Sequence, residues 1–140
     1  VDVPVIAICD FDILNSSQNL KNLTSAFKLE WNAELAENMK IIYDSMNAKN
    51  SAGVDAWQQI KKIGKAGFGG NEPAAYERVD KIYKSAGLFI VPVGEMECFD
   101  KTINKEKKDW VYSVLEGRDL KTDSKLEDAR KFLQEVVDFK

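Results

Sequence analysis

Histidine is absent from all 140 residues. That one gap excludes Ser-His-Asp and Cys-His triads, imidazole-ligated zinc and ordinary histidine acid–base catalysis. Chemistry in this chain must therefore rest on carboxylates, lysines or a hard metal ion. Cysteine is scarce too. Cys9 and Cys98 are too few for a disulfide framework or a zinc-ligand cluster. Cys9 lies in an apolar run and reads as a buried free thiol, which points to a reducing, cytoplasmic compartment. No apolar run approaches the roughly 20 residues needed to cross a bilayer, and no signal-peptide pattern opens the chain, so no membrane partner is expected. A G-x-x-x-x-G-K-[ST] phosphate loop is also missing. Positive charge is not in excess: the formal net charge of −3 argues against bulk electrostatic attraction to nucleic acid. It leaves room for a nuclease, because divalent cations can neutralise an acidic site.

What is present fits a folded α/β domain. The 44% apolar and 31% charged residues are those of a globular chain, and 140 residues suffice for one domain with a real core. Val1 rather than Met stands first and a strand follows almost at once, which reads as a fragment of a longer protein. Val3-Pro4-Val5-Ile6-Ala7-Ile8-Cys9 and Leu88-Phe89-Ile90-Val91-Pro92-Val93 are short apolar runs rich in β-branched residues. Such runs predict strands buried on both faces, as in a parallel sheet.

The remainder reads as about six helices. Asn15-Ser16-Ser17 offers N-cap residues before Leu20, Leu23 and Phe27. Trp31, Leu35, Met39, Ile42 and Met46 share a helical face that ends in the polar run 47–51. Val54, Trp57, Ile60 and Ile63 form a shorter stripe closed by Gly64. Gly67-Phe68-Gly69-Gly70 reads as a flexible turn, Asn71 as a cap, Pro73 as a first-turn residue and Gly87 as a stop. A helix around Lys105 to Leu115 carries Trp110, Val111 and Val114. Ser124-Lys125-Leu126-Glu127 is a capping box for the last helix, whose face would hold Leu126, Ala129, Leu133 and Val136 or Val137. Two strands alone make a poor sheet. The expectation is a partial parallel sheet with a helical insertion, further strands lying upstream of Val1, and an open edge able to pair with a second copy as a homodimer.

Chemistry gathers at the strand ends. In extended backbone Asp10 and Asp12 would point to one face, at the sheet edge where α/β proteins bind ligands. Magnesium takes hard oxygen ligands and keeps several waters, so two or three carboxylates suffice. The bland alternative is that one Asp caps the next helix and the other is solvated. The second strand runs out into Gly94-Glu95-Met96-Glu97, again with two acids two residues apart. Parallel neighbours would bring four acids together, raising one another's pKa until a cation resolves the conflict. Here the bland alternative is a helical first turn favoured by the dipole.

The segments AICDFDIL and GLFIVPVGEMECF together resemble the TOPRIM domain of overcoming-lysogenization-defect (OLD) family nucleases, and more narrowly the C-terminal region of bacterial AAA-type ATP-dependent endonucleases. The match is close over residues 3–14 and 86–100 and looser through Trp110 and the final helix. The resemblance implies a TOPRIM-like part over 1–14 and 86–140 and a helical insertion over 15–85. It implies that Asp10 and Asp12 match the family's Asp-x-Asp, that Glu97 matches the glutamate after the last strand, and that Glu95 adjoins it. These would bind two Mg²⁺ or Mn²⁺ ions for phosphodiester hydrolysis of DNA. A basic residue assisting cleavage is also implied, with Lys125 the candidate and Lys101 behind it. The partners would be DNA and an upstream ATPase domain in the same polypeptide, with phage defence as the family's setting. The family's upstream glutamate has no counterpart here, so the fragment alone is expected to lack activity.

Two other readings compete. One is a non-catalytic interaction or regulatory domain that keeps the scaffold and binds through the insertion. The other is a haloacid-dehalogenase-like phosphatase fragment with Asp10 as nucleophile, although Ile13 and Leu14 stand where that family has Gly-Thr or a Thr two residues after the second Asp. Lysines 61, 62, 65, 105, 107 and 108 could touch phosphates, but read first as solvated helix faces. Trp31, Trp57 and Trp110 fall on apolar stripes and read as core.

Overall fold

The computed structural model describes residues 5–140 apart from 52 and 54. Val3 and Pro4 of the expected first strand, and Val54 of the third helical stripe, lie outside the described residues. Two strands, β1 (Ala7–Cys9) and β2 (Leu88–Ile90), pair in parallel with Ala7 opposite Leu88, Ile8 opposite Phe89 and Cys9 opposite Ile90. Among the described residues four α-helices run between them: α1 (Ser17–Ala26), α2 (Ala33–Ser51), α3 (Ala56–Ile63) and α4 (Glu72–Lys84). After β2 come α5 (Lys107–Gly117) and α6 (Glu127–Val137). The molecule is thus α/β and mostly helical, with a small parallel sheet and a long helical crossover, as the apolar runs and helical stripes predict. None of the described helices is long and apolar enough to cross a membrane.

Both strands are shorter than their apolar runs. The ladder continues one bond past β2, where Val91 N–H donates to Cys9 O at 2.8 Å. The bonds to β1 come from alternate residues, so Pro92, which has no N–H, faces the other edge and breaks no bond to β1. Burial on both faces holds for β2, whose three residues are at most 2% exposed, and fails for β1, where Ile8 is 44% exposed. Among the described residues β1 pairs with β2 alone, and Ile8, like Ile6 just before the strand, stays exposed.

Side-chain alternation along β2 divides the interior in two. Leu88 and Ile90 join a cluster with Phe11, Leu14, Met39, Ile42 and Val79, beneath α1, α2 and α4. Phe89 and Val91 point the other way, into a cluster with Trp110, Val114, Leu126, Phe132 and Val136 from α5 and α6. Phe89 meets Phe132 and Phe139 edge-on, at 86° and 84°. A fully buried side chain of this size stabilises by about 1.5–3 kcal/mol before its ordering entropy is counted. The two strands are held mainly by this double helix cover.

Local signals were mostly positioned correctly and sometimes satisfied differently. Ser16 caps α1 by accepting from Asn19 N–H. Leu35, Met39, Ile42 and Met46 are all buried on α2, while Trp31 precedes the helix and stacks beneath Lys21. Asn71 stands at the cap of α4 but makes no capping bond. The buried Glu72 instead accepts from Gly69 N–H at 2.6 Å and from Lys49 at 2.9 Å, and that tethers the 67–70 turn. The capping box at Ser124 is replaced by Asp123, which accepts from Lys125 N–H and opens a 3-10 helix (Ser124–Leu126) ahead of α6. On α6 the buried stripe is Leu126, Ala129, Phe132 and Val136; Leu133 and Val137 are exposed, as is Val111 on α5. Phe132 takes the inner place because its ring packs on Phe99 as well as Phe89.

Candidate functional site

After each strand comes a 3-10 helix with an acid on either side of its first position, one residue after β1 and five residues after β2. Asp10 is extended (φ −64°, ψ 155°) and precedes Phe11–Asn15; Glu95 is extended (φ −114°, ψ 161°) and precedes Met96–Phe99. Neither carboxylate makes a capping bond. Asp12 and Glu97 lie inside the turns. The strand alternation expected to align each pair therefore does not operate, since a 3-10 helix has three residues per turn. Placement comes instead from the residues between. Phe11 is fully buried against Phe68 and Tyr76, at ring distances of 5.3 and 5.1 Å. Phe11 N–H donates to Gly94 O at 2.8 Å, which ties the first turn to the approach of the second. The acids of both strand ends are thereby gathered at one edge.

Helix α3 closes on this edge. A Cβ at Gly64 would stand 2.1 Å from Pro92 O, and one at Gly94 would stand 2.2 Å from Lys61 O. Both glycines have positive φ, at +58° and +110°. Only a residue without a side chain lets the last turn of α3 lie against the 92–94 backbone, and Lys65 N–H donates to Pro92 O at 2.9 Å to hold it there. The docking delivers two lysines. Lys61 Nζ stands 3.4 Å from Asp12 Oδ2 and 3.4 Å from Glu95 Oε1, and Lys62 Nζ stands 2.7 Å from Glu95 Oε2. Lys101 Nζ donates to the Lys62 carbonyl at 2.8 Å.

The electrostatics follow from this arrangement. Burial, then the charges of Asp12, Glu95 and Glu97, push the Asp10 carboxyl above its ordinary value, with Lys61 opposing. Burial alone would also raise Glu95, but Lys62 and Lys61 outweigh it and hold that carboxyl below the usual range. The two lysines are raised, each chiefly by its hydrogen bond to Glu95. Beside the edge, the half-buried Cys9 thiol is raised by burial and by Asp10; both cysteines are free. Asp10 and Glu97 have no lysine of their own among the described ion pairs.

Lys125 has its side-chain contact at another group. Its Nζ donates to Thr102 Oγ1 at 3.4 Å, beside the Arg118 guanidinium, which bonds the buried Asp100 at 2.8 Å. That group staples the 118–126 segment to the turn at Thr102. The basic residues at the acidic edge are Lys61 and Lys62, which a sequence reading leaves as a solvated helix face. The glycines after Lys62 and before Glu95 were the available signal for their approach. Lys105, Lys107 and Lys108 are exposed. Trp110 is buried, and Trp31 and Trp57 pack partly buried against the first cluster.

In kind, four carboxylate oxygen donors at a strand-end edge suit Mg²⁺ or Mn²⁺. The lysine ammonium between Asp12 and Glu95 stands where positive charge is wanted. In number the arrangement falls short: among the described residues, no three histidine, cysteine, aspartate or glutamate side chains converge to enclose an ion. Asp12 and Glu95 would have to exchange Lys61 for the metal. Comparison with protein-family models, with curated proteins and with solved structures finds no match for this chain.

Proposed function

We propose that this chain is the metal-binding part of a TOPRIM-type nuclease of the OLD kind, with Asp10, Asp12, Glu97 and Glu95 as the carboxylates of a Mg²⁺ or Mn²⁺ edge. The observation that carries the reading is the gathering of acids from both parallel strand ends, felt at Asp10 as repulsion from the other three. Fold proteins tolerate such repulsion most readily where charge is needed for a task. A bound divalent ion in this class of site lowers the pKa of water and stabilises developing negative charge. The chain's own contribution is to hold Asp10 extended at the strand end, to anchor Phe11 in the core and to keep the carboxylates at the surface. DNA and an ATPase domain of the same polypeptide are the partners this reading carries, and Lys125 is too far engaged with Thr102 to be its first candidate for assistance.

A second reading has an observation of its own. Lys61 and Lys62 already neutralise Asp12 and Glu95, as they would in a non-catalytic interaction domain whose acidic edge serves only to dock α3. Calorimetric titration with Mg²⁺ and Mn²⁺ separates the two. The nuclease reading expects saturable heat from the native chain and its loss in Asp10→Asn/Asp12→Asn. Equal heats from both proteins would sink the metal site.

A further inference from the structure

Strand β1 leaves one edge of the sheet open. Its bonds to β2 come from alternate residues: Ala7 N–H donates to Gly87 O, and Cys9 O accepts from Val91 N–H. The N–H and C=O of the residues between turn the other way, so Ile6 and Ile8 direct theirs outward. Among the described residues no strand pairs with that side. The side chains there are open too. Ile8 is in register with Phe89 and so faces the α6 side of the sheet, with Ile6 two residues before it. On α6, Glu135 pairs with Lys84 of α4, which turns Leu133 and Val137 to the opposite flank, toward β1. The end of α6 does lie beside the start of β1, since a methyl added at Gly87 would meet the Phe139 ring at 2.8 Å and Val5 O at 3.0 Å. Ile6, Ile8, Leu133 and Val137 are 40–74% exposed.

We infer that this edge pairs with the β1 edge of a second copy, antiparallel about a two-fold axis at Ala7, so that two two-stranded sheets join into one of four strands. The edge is self-complementary. Ile6 stands opposite Ile8 of the partner subunit and Ile8 opposite the partner's Ile6, each pair exchanging both of its N–H···O=C bonds. Directly opposed residues share a face, so these isoleucines form cross-strand pairs in a trough between the two α6 helices, with Leu133 and Val137 on its walls. The antiparallel sense sends the acids at Asp10 and Asp12 to opposite ends of the joined sheet, where like charges do not meet. The size is sufficient as well. Such an apolar patch amounts to a few hundred Å² in each chain, and two patches with their strand edges reach roughly the 1,000 Å² of a specific interface. Two strands alone are marginal, and a wider sheet with helices on its face is not. Pairing covers the open edge of both chains, so assembly closes at two copies.

Sedimentation equilibrium of the native chain from about 10 µM to about 1 mM, the range suited to a small interface, tests this, with amide exchange read residue by residue at both extremes. The mass should double across that range. The Ile6 and Ile8 amides should exchange at least about tenfold more slowly at the top of it, as paired amides do. Ile6→Lys/Ile8→Lys, at positions already exposed, should stay monomeric. Val111→Lys/Leu115→Lys puts the same charge on the exposed face of α5 and should dimerise as the native chain does. A native chain that remains monomeric at the top of the range overturns the inference, and so does growth beyond a dimer. A dimer that leaves the Ile6 and Ile8 amides fast, or that survives both lysines on β1, lies elsewhere and overturns it too. Loss of the dimer in the α5 variant has the same consequence. The exchange measurement uses the native chain, so it decides the matter even where the β1 variant fails to fold.

Discussion

At the scale of single residues, the acids at the strand ends oppose the fold they belong to. Asp10 is raised by burial and by three neighbouring carboxylates. A carboxyl whose folded pKa lies above its unfolded one binds more protons folded than unfolded, so it favours the fold at low pH. That advantage is lost as pH rises from the ordinary carboxylate range through the raised value, and at neutral pH Asp10 is a net cost. Asp10→Asn should therefore be more stable than the native chain at pH 7 and indistinguishable from it near pH 3. The gain should be roughly a few tenths of a kcal/mol, because the partial burial leaves most of the side chain in solvent, where its charge is screened. Urea midpoints at the two pH values, measured in chelator, check this; a less stable variant at pH 7 would remove the repulsion. The sequence shows these four acids and their spacing. It does not show which are neutralised, because Lys61 lies far along the chain and reaches them only through the seating of a helix.

At the scale of elements, the join between α3 and the turn after β2 decides where charge meets charge. Two glycines with positive φ face each other across it, and an added methyl at either would collide with backbone that cannot move aside. Gly64→Ala and Gly94→Ala should each destabilise by more than about 2 kcal/mol in denaturant titrations, by strain plus collision. Gly117, at the end of α5, has nothing within 4 Å of its added methyl, and Gly117→Ala should stay within about 1 kcal/mol of the native chain. Comparable losses at all three positions would mean that the interlock does not hold α3. Elsewhere in the helices the sequence was legible in proportion to how local the cause is. Ser16 caps α1 through a contact three residues away, and α2 buries the stripe its spacing announces. Phe132 and Leu133 both fit a helical stripe, and only the rings of Phe89 and Phe99 choose between them.

At the scale of the whole molecule, a two-stranded sheet separates two apolar clusters, and β2 supplies alternate side chains to each. The second cluster, under α5 and α6, is the less enclosed: Phe99, Val114, Ala129 and Val136 retain 7–9% exposure, whereas most of the first is at 0–1%. Less enclosed elements open at lower cost and more independently. Phe132→Ala, which removes about 3 kcal/mol or more of packing, should accelerate amide exchange in α5 and α6 before α2 and α4. Uniform acceleration across all six helices would show one cooperative unit instead.

The sequence by itself determined the parallel α/β class, the long helical crossover, the absence of histidine chemistry and the placing of paired acids at two strand ends. Those follow from local pattern: runs of β-branched residues, helical spacing and the residues next to each run. Only the tertiary structure decided that the strands break into 3-10 turns at the acids, that β1 keeps an exposed face, and that Lys61 stands between Asp12 and Glu95. The reason is physical. Where a strand stops depends on what remains to pair with it, and which charge meets which depends on backbones brought within contact by glycines remote in sequence, neither of which any window along the chain contains.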